Sequence, residues 1–67
     1  MQITVNGDTR DIEPGTTVSA LLEQLAIKEA RVAVEVNLDV IRRDDRPARV
    51  LKAGDQVEIV SFVGGGV

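Results

Sequence analysis

The stretch MQITVNGDTRDIEPG, residues 1–15, contains the pattern that decides the fold. Apolar and polar residues alternate as far as Val5, which is the period of a strand with one buried face. Asn6-Gly7 follows at once, and both residue types tolerate the positive φ angles that a tight hairpin turn requires. Residues 9–13 then predict a returning strand with Ile12 inward, and its polar remainder is typical of a sheet edge. The chain therefore opens with a β-hairpin.

A short amphipathic helix is predicted over residues 18–26, after the turn Pro14-Gly15. Thr16 or Thr17 is expected to cap it, because a hydroxyl oxygen there accepts a hydrogen bond from a free first-turn N–H. Apolar residues recur at helical spacing and form one stripe: Val18, Leu21, Leu22 and Leu25. So short a helix is not stable alone in water, and we expect it to lie on a sheet.

Further strands are predicted at residues 32–36, briefly at Val40-Ile41, and at residues 56–63. The first and last strands are the most apolar, so we expect them at the centre of the sheet, with the second strand of the hairpin outside them. The result is an α+β fold of the β-grasp, ubiquitin-like type, in which one helix covers one face of a mixed four- to five-stranded sheet. Residues 1–63 are predicted to form this domain.

The composition excludes several classes of function. The chain has 67 residues and neither cysteine nor histidine, so catalysis by a thiolate or an imidazole and a zinc site of the usual kind are excluded. The net charge of −3 and a single aromatic residue, Phe62, disfavour nucleic acid as a partner. No apolar run approaches the length of a membrane helix, and the N-terminus does not resemble a signal peptide. We expect a cytoplasmic protein that is not an enzyme and holds no metal or cofactor.

The remaining charged residues are interpreted mainly as surface. Residues 42–49 predict a solvated loop, with contact to a phosphate or an acidic partner as the alternative for its four arginines: Arg42, Arg43, Arg46 and Arg49. Four acidic residues are either ordinary surface or contacts for a basic patch around a partner's ATP site: Glu35, Asp39, Asp55 and Glu58.

The glycines Gly64, Gly65 and Gly66 near the end of the chain are the most informative feature. Glycines after a central strand have no packing role, so residues 64–67 are predicted to form a flexible tail that can thread a narrow active site. A carboxylate there becomes reactive once a partner converts it to an acyl-adenylate with ATP, and a sulfide or persulfide then displaces AMP to leave a thiocarboxylate. A frayed terminus is the alternative interpretation of the glycines taken alone.

Val60 and Phe62 are expected on the sheet face away from the helix, immediately before this tail. Exposed apolar side chains at that place predict a docking patch for the enzymes that charge and discharge the tail. The alternative is that the second face is merely semi-apolar, or that Phe62 folds back onto the core.

Several segments, in their order and spacing, resemble the thiamine-biosynthesis sulfur carrier (ThiS) family. They are MQITVNG at residues 1–7, the helix entry at 17–22, RVAVEVN at 31–37, LKAGD followed by VEIV at 51–60, and FVGGG at 62–66. The resemblance implies that an E1-like enzyme adenylates the glycine carboxylate and that thiazole synthase accepts the sulfur. By position, it assigns the acyl group to Gly66 and the threading role to Gly64 and Gly65.

The chain departs from the family pattern at two positions. The family usually ends on glycine, so we predict that a peptidase removes Val67 before activation, because a branched side chain does not suit a site shaped for glycine. After Asn37, Leu38 stands where the family often has glycine, which predicts a different turn.

Three alternative functions stay open at this point. The chain is a carrier for another acceptor, such as molybdopterin, cysteine or another sulfur metabolite; or a ubiquitin-like modifier that Gly66 joins to lysines; or a β-grasp interaction module with an inert tail. The third alternative predicts that deleting residues 64–67 leaves function unchanged.

Overall fold

The computed structural model describes residues 1–62, and within that range the chain forms one five-stranded mixed sheet and one α-helix. The elements are β1 (Gln2–Val5), β2 (Asp8–Asp11), α1 (Val18–Gln24), β3 (Val32–Val36), β4 (Asp39–Val40) and β5 (Gln56–Ser61), with 3-10 turns at Glu29–Arg31 and Arg43–Asp45. The strand order is β2-β1-β5-β3-β4, in which β1 and β5 are parallel and the other pairs antiparallel. The predicted β-grasp fold is confirmed, whereas the domain boundary at residue 63 and the tail at residues 64–67 lie outside the described residues.

The first hairpin turns in two residues. Asn6 and Gly7 have φ angles of 50° and 87°, and Val5 pairs directly with Asp8. This pairing brings Asp8 into the ladder, so β2 starts one residue earlier than predicted and ends at Asp11. Ile12 beyond it points into the core, as predicted, and is 6% exposed.

The helix starts as predicted and ends two residues early. Thr17 is the capping residue, since its Oγ1 accepts a hydrogen bond from the Ala20 N–H at 3.1 Å. At the other end, Ala26 adopts a φ of 58°, which closes the helix with the paired turn hydrogen bonds of a Schellman motif. The helix is therefore limited to Val18–Gln24 by an alanine in a left-handed conformation, which the apolar spacing does not reveal.

One apolar core lies between the helix and the inner face of the sheet. Its buried residues come from β1, α1, β3, β5 and the segments that connect the elements: Ile3, Ile12, Val18, Leu21, Leu22, Val32, Val34, Val36, Ile41, Leu51 and Val57. β5 lies at the centre of the sheet, with β1 on one side and β3 on the other, so the two most apolar strands occupy the positions expected for them. The direction in which β5 leaves the sheet is therefore set by both neighbours.

The loop at residues 42–49 is not wholly solvated, because the side chain of Arg46 is buried and 4% of the residue is exposed. Its guanidinium group donates hydrogen bonds of 2.8 Å to the carbonyl oxygens of Glu29 and Val32. Arg46 thus ties this loop to the start of β3. The interpretation as a solvated loop is wrong for Arg46, because apolar periodicity does not indicate a buried arginine that satisfies backbone carbonyls.

The second hairpin also turns in two residues, Asn37 and Leu38, with φ angles of 52° and 73°. Val36 pairs directly with Asp39 across it. Leu38 therefore adopts the left-handed conformation in which glycine would be unstrained, and the difference in turn from the family stays a prediction.

Candidate functional site

The candidate site is the end of β5, where the described chain leaves the middle of the sheet. On the β1 side, backbone hydrogen bonds join Thr4 N–H to the Asp55 carbonyl at 3.0 Å and Asn6 N–H to the Val57 carbonyl at 2.8 Å. β1 then turns away at Asn6-Gly7, two residues short of Ile59 on β5. Backbone pairing with β1 therefore cannot hold the last part of β5.

The side chain of Asn6 supplies hydrogen bonds to this last part of β5 in place of the β1 backbone. Its Oδ1 accepts a hydrogen bond of 2.7 Å from the Ile59 N–H, and its Nδ2 donates one of 3.2 Å to the Ile59 carbonyl. One side-chain amide thus pairs with both backbone groups that Ile59 directs towards β1. The sequence analysis assigned Asn6 only to the turn, because the strand that lies beside a turn is a property of the topology.

On its other side, β5 is held by β3 to the last described residue. Val32 pairs with Ser61, and the Phe62 N–H donates a hydrogen bond of 2.9 Å to the Arg31 carbonyl. Arg46 supports the start of β3, because its guanidinium group donates a hydrogen bond to the carbonyl oxygen of Val32. The end of β5 is therefore fixed by Asn6 on one edge and by β3, supported by Arg46, on the other.

Val60 and Phe62 lie on the sheet face away from the helix, and each is 57% exposed. Ala33 lies opposite Val60 on the neighbouring strand. The placement expected for the two side chains is observed, and Phe62 does not fold back onto the core. Their role in partner docking stays a prediction.

Two acidic residues continue this outer face. Glu35 on β3 and Glu58 on β5 are direct cross-strand neighbours, and Val40 lies opposite Glu35 on the other side. Like charges opposite each other destabilise a sheet slightly, and an approaching basic surface would relieve that cost. The face beside the end of β5 is therefore apolar at Val60 and Phe62 and acidic next to them.

Asp55 does not belong to this acidic surface. It is 8% exposed, and its carboxylate accepts hydrogen bonds from Asn37 Nδ2 at 2.9 Å and from the Lys52 N–H at 2.8 Å. It stabilises the turn that begins β5, so its interpretation as a surface or partner contact is wrong. The sequence does contain a sign of this role: Asp55 follows Ala53-Gly54, and an aspartate in a turn often binds backbone N–H groups.

The helix-side face of the same strand end carries an open apolar cleft of about 390 Å³. Its lining includes two basic residues and apolar residues from β1, β5 and the segment that follows α1: Lys28, Arg31, Val5, Leu25, Ile27 and Ile59. The end of β5 therefore separates an acidic outer face from an apolar cleft whose lining includes two basic residues.

The predicted reactive and threading residues Gly64, Gly65 and Gly66 and the predicted processing residue Val67 lie outside the described residues. Among residues 1–62, no group of three or more histidine, cysteine, aspartate or glutamate side chains is placed to hold a metal ion. In this part of the chain, no helix is long and apolar enough to cross a membrane.

Comparison with known proteins identifies the family. The model of the ThiS family matches residues 3–66. The sulfur carrier protein ThiS of Escherichia coli is 32% identical over 66 residues, which cover 98% of this chain and 100% of that protein. A crystal structure of the thiamine biosynthesis protein ThiS from Geobacter metallireducens superimposes with a TM-score of 0.84 at 38% identity, and covers 98% of this chain and all of that one.

A second kind of relative is much longer. A thiazole synthase of Paramagnetospirillum magneticum is 38% identical over 66 residues, and this chain spans 20% of its length. A thiazole synthase of Magnetococcus marinus is 44% identical over 66 residues, and this chain again spans 20% of its length. Together with the fold, the match to the family model and to full-length relatives shows that the chain belongs to the ThiS family.

Proposed function

We propose that this chain carries sulfur on the carboxyl group of Gly66 and delivers it for formation of the thiazole of thiamine. The observation that carries the proposal is the extent of the family match, which includes all three glycines and stops one residue before Val67. The fold supports it, because a central strand held on both edges leads directly towards those glycines. The end of β5 thus gives a rigid base to the segment that follows it in sequence.

The proposed chemistry has two steps, both on partner enzymes. A carboxylate oxygen of Gly66 attacks the α-phosphorus of ATP on an E1-like adenylating enzyme, an acyl–O–P bond forms, and pyrophosphate leaves. Hydrosulfide then attacks the acyl carbon, and AMP leaves with the electrons of the broken C–O bond. A persulfide donor reaches the same product through an acyl disulfide that a thiol cleaves. The carrier is thus a co-substrate that supplies the acyl group, while ATP and the sulfur donor are used by its partners.

The proposed acceptor is a thiazole synthase. Two proteins of that name each contain a region like this chain within one polypeptide. Joining a carrier to its acceptor raises their effective concentration, which is useful only when the two act on each other. We infer that this chain acts together with a thiazole synthase.

Docking on these partners is assigned to Val60 and Phe62 on the outer face. Their exposed apolar surface lies beside the route to the terminus, and the neighbouring carboxylates Glu35 and Glu58 favour a partner with basic groups around the contact. Apolar contacts of this kind supply affinity, whereas the charges mainly orient the encounter.

Removal of Val67 is part of the proposal and gives the first experiment. The full chain and a chain that ends at Gly66 are each incubated with the host's adenylating enzyme, ATP and a sulfur source, and the intact mass is measured. We expect one oxygen to be replaced by sulfur only in the chain that ends at Gly66, until host extract trims the longer one. Equal rates of adenylation for both chains would contradict the need for trimming, and absence of the thiocarboxylate from both would contradict the carrier function.

The docking assignment is tested by Phe62→Asp, with Leu38→Asp as the matched control. Both changes place a carboxylate on an exposed apolar position, but Leu38 lies at the hairpin tip and is 86% exposed. We expect the KM for the carrier in adenylation to rise about tenfold or more for Phe62→Asp, as typical for loss of a central apolar contact, and little for the control. Circular dichroism shows whether both variants keep the fold. Equal effects of the two variants would mean that added charge, and not the lost docking contact, weakens the encounter.

A further inference from the structure

Two asparagines of this chain hold opposite ends of β5. Asn37 accepts a hydrogen bond of 2.9 Å from the Gln56 N–H, at the start of the strand, and Asn6 binds both backbone groups of Ile59, near its end. We propose that Asn6 is a positioning residue for the reactive terminus: its side-chain amide keeps the end of β5 in the orientation that the adenylating enzyme binds. This inference rests on the proposed carrier function.

The argument starts from the direction of the backbone groups of β5. Asp55, Val57 and Ile59 all direct their backbone groups towards β1, as the bonds to Thr4, Asn6 N–H and the Asn6 side chain show. β1 supplies backbone partners for the first two only, because the chain turns at Asn6-Gly7. Without the Asn6 amide, the backbone groups of Ile59 lose these two hydrogen bonds to the β1 side.

The position of Ile59 makes this contact relevant to function. It lies between Glu58 and Val60 and three residues before Phe62, so it is inside the segment that carries both the docking surface and the route to the glycines. A displacement at Ile59 moves the docking side chains and the terminus together. The partner must bind both at once, so only carriers with the strand end in place are competent.

The contact favours one position of the strand end, but its free energy is too small for its loss to unfold the domain. Both bonds lie at an exposed site, where water replaces a lost partner. Their removal is therefore expected to populate displaced strand ends without unfolding the domain. When only a fraction of a protein is competent to bind, its apparent affinity falls by that fraction, and the maximal rate is unchanged.

The turn allows a clean substitution. Asn6 has a φ of 50°, which glycine adopts without strain, so Asn6→Gly removes the amide and preserves the turn. Asn37→Gly is the matched control, because Asn37 occupies the same position of the second hairpin with a φ of 52° and binds the other end of β5. Both variants lose one side-chain amide, at opposite ends of β5; Asn37→Gly also loses the bond to the Asp55 carboxylate, so it is the more demanding control for a general loss of stability.

The experiment measures adenylation of chains ending at Gly66 by the host's E1-like enzyme, and backbone amide exchange of the same proteins by NMR. For Asn6→Gly we expect the KM for the carrier to rise about three- to fivefold with kcat unchanged, and the Ile59 amide to exchange faster. For Asn37→Gly we expect faster exchange at Gln56 and an unchanged KM.

Each other outcome is decisive. Equal changes in KM for both variants, or a wild-type KM for Asn6→Gly, would overturn the positioning role, since a general loss of stability acts alike from both ends. A protected Ile59 amide in Asn6→Gly would show that the side chain does not hold the strand. If the wild-type chain is not adenylated at all, the proposed function fails, while the amide exchange still decides whether Asn6 fixes the end of β5.

Discussion

The two hairpin turns of this chain share a backbone conformation but have different roles. Each has asparagine first, positive φ at both turn residues, and a side-chain amide that binds the central strand β5. The Asn37 amide also donates to the buried carboxylate of Asp55, which accepts a second bond from the Lys52 N–H. The Asn6 amide binds the backbone of Ile59 alone.

The difference shows how one local motif acquires two roles. At the start of β5, Asn37 belongs to a closed network whose members satisfy one another, which favours rigidity. At the end of β5, Asn6 makes a contact of two exposed hydrogen bonds, and the three glycines follow later in the sequence. Both turns begin with asparagine and share a backbone conformation, and the neighbouring strand decides which groups the asparagine binds.

The largest expected effect comes from breaking the support on the β3 side of the strand end. Arg46→Met keeps a long apolar stem and removes the two guanidinium hydrogen bonds to the Glu29 and Val32 carbonyls. Hydrogen bonds from charged groups contribute about 1.5–3 kcal/mol each, so we expect the free energy of unfolding to fall by about 3 kcal/mol. Urea denaturation measures it. Arg42→Met, at an exposed position of the same loop, is expected to change it by less than about 0.5 kcal/mol.

Breaking the network at the other end of β5 is expected to cost somewhat less. Asp55→Ala removes the acceptor for Asn37 Nδ2 and for the Lys52 N–H, and we expect a loss of about 2 kcal/mol in the free energy of unfolding. Asp44→Ala is the exposed control. A loss as small as that of the control would show that the network does not stabilise the start of β5.

The second residue of each turn, Gly7 or Leu38, tests the cost of the left-handed backbone conformation. Gly7 has a φ of 87°, and a Cβ at this position would meet no heavy atom within 4 Å beyond the two adjacent residues. Gly7→Leu therefore tests the backbone conformation without a clash, and we expect a loss of about 1–2 kcal/mol in thermal or urea unfolding. Gly7→Asn is expected to lose less, since asparagine tolerates this conformation. Equal losses for leucine and asparagine would contradict a conformational cause.

The reverse change at the other turn has the smallest expected effect. Leu38→Gly relieves the left-handed strain at a φ of 73°, but it also increases the entropy of the unfolded chain. We expect a net gain of about 0.5–1 kcal/mol in the free energy of unfolding. Leu38→Ala removes the same exposed surface without relieving the strain, so a gain of equal size in that variant would assign the effect to the side chain instead.

Much of the fold was predictable, because it depends on local patterns. Alternation indicated β1 and β3, Asn6-Gly7 indicated the first turn, and helical spacing together with a threonine cap indicated α1. The ends of elements were less predictable: the early end of α1 depends on the φ of Ala26, and the start of β2 on the register set by the turn.

The candidate site divides in the same way. The sequence by itself determined the outward placement of Val60 and Phe62, since strand periodicity assigns alternate residues to opposite faces. Only the tertiary structure decided that Arg46 and Asp55 are buried and that Asn6 binds Ile59, 53 residues further along the chain. The physical reason is that periodicity acts between neighbours in sequence, whereas a polar group finds its partner only after the strand order has brought distant backbone groups beside it.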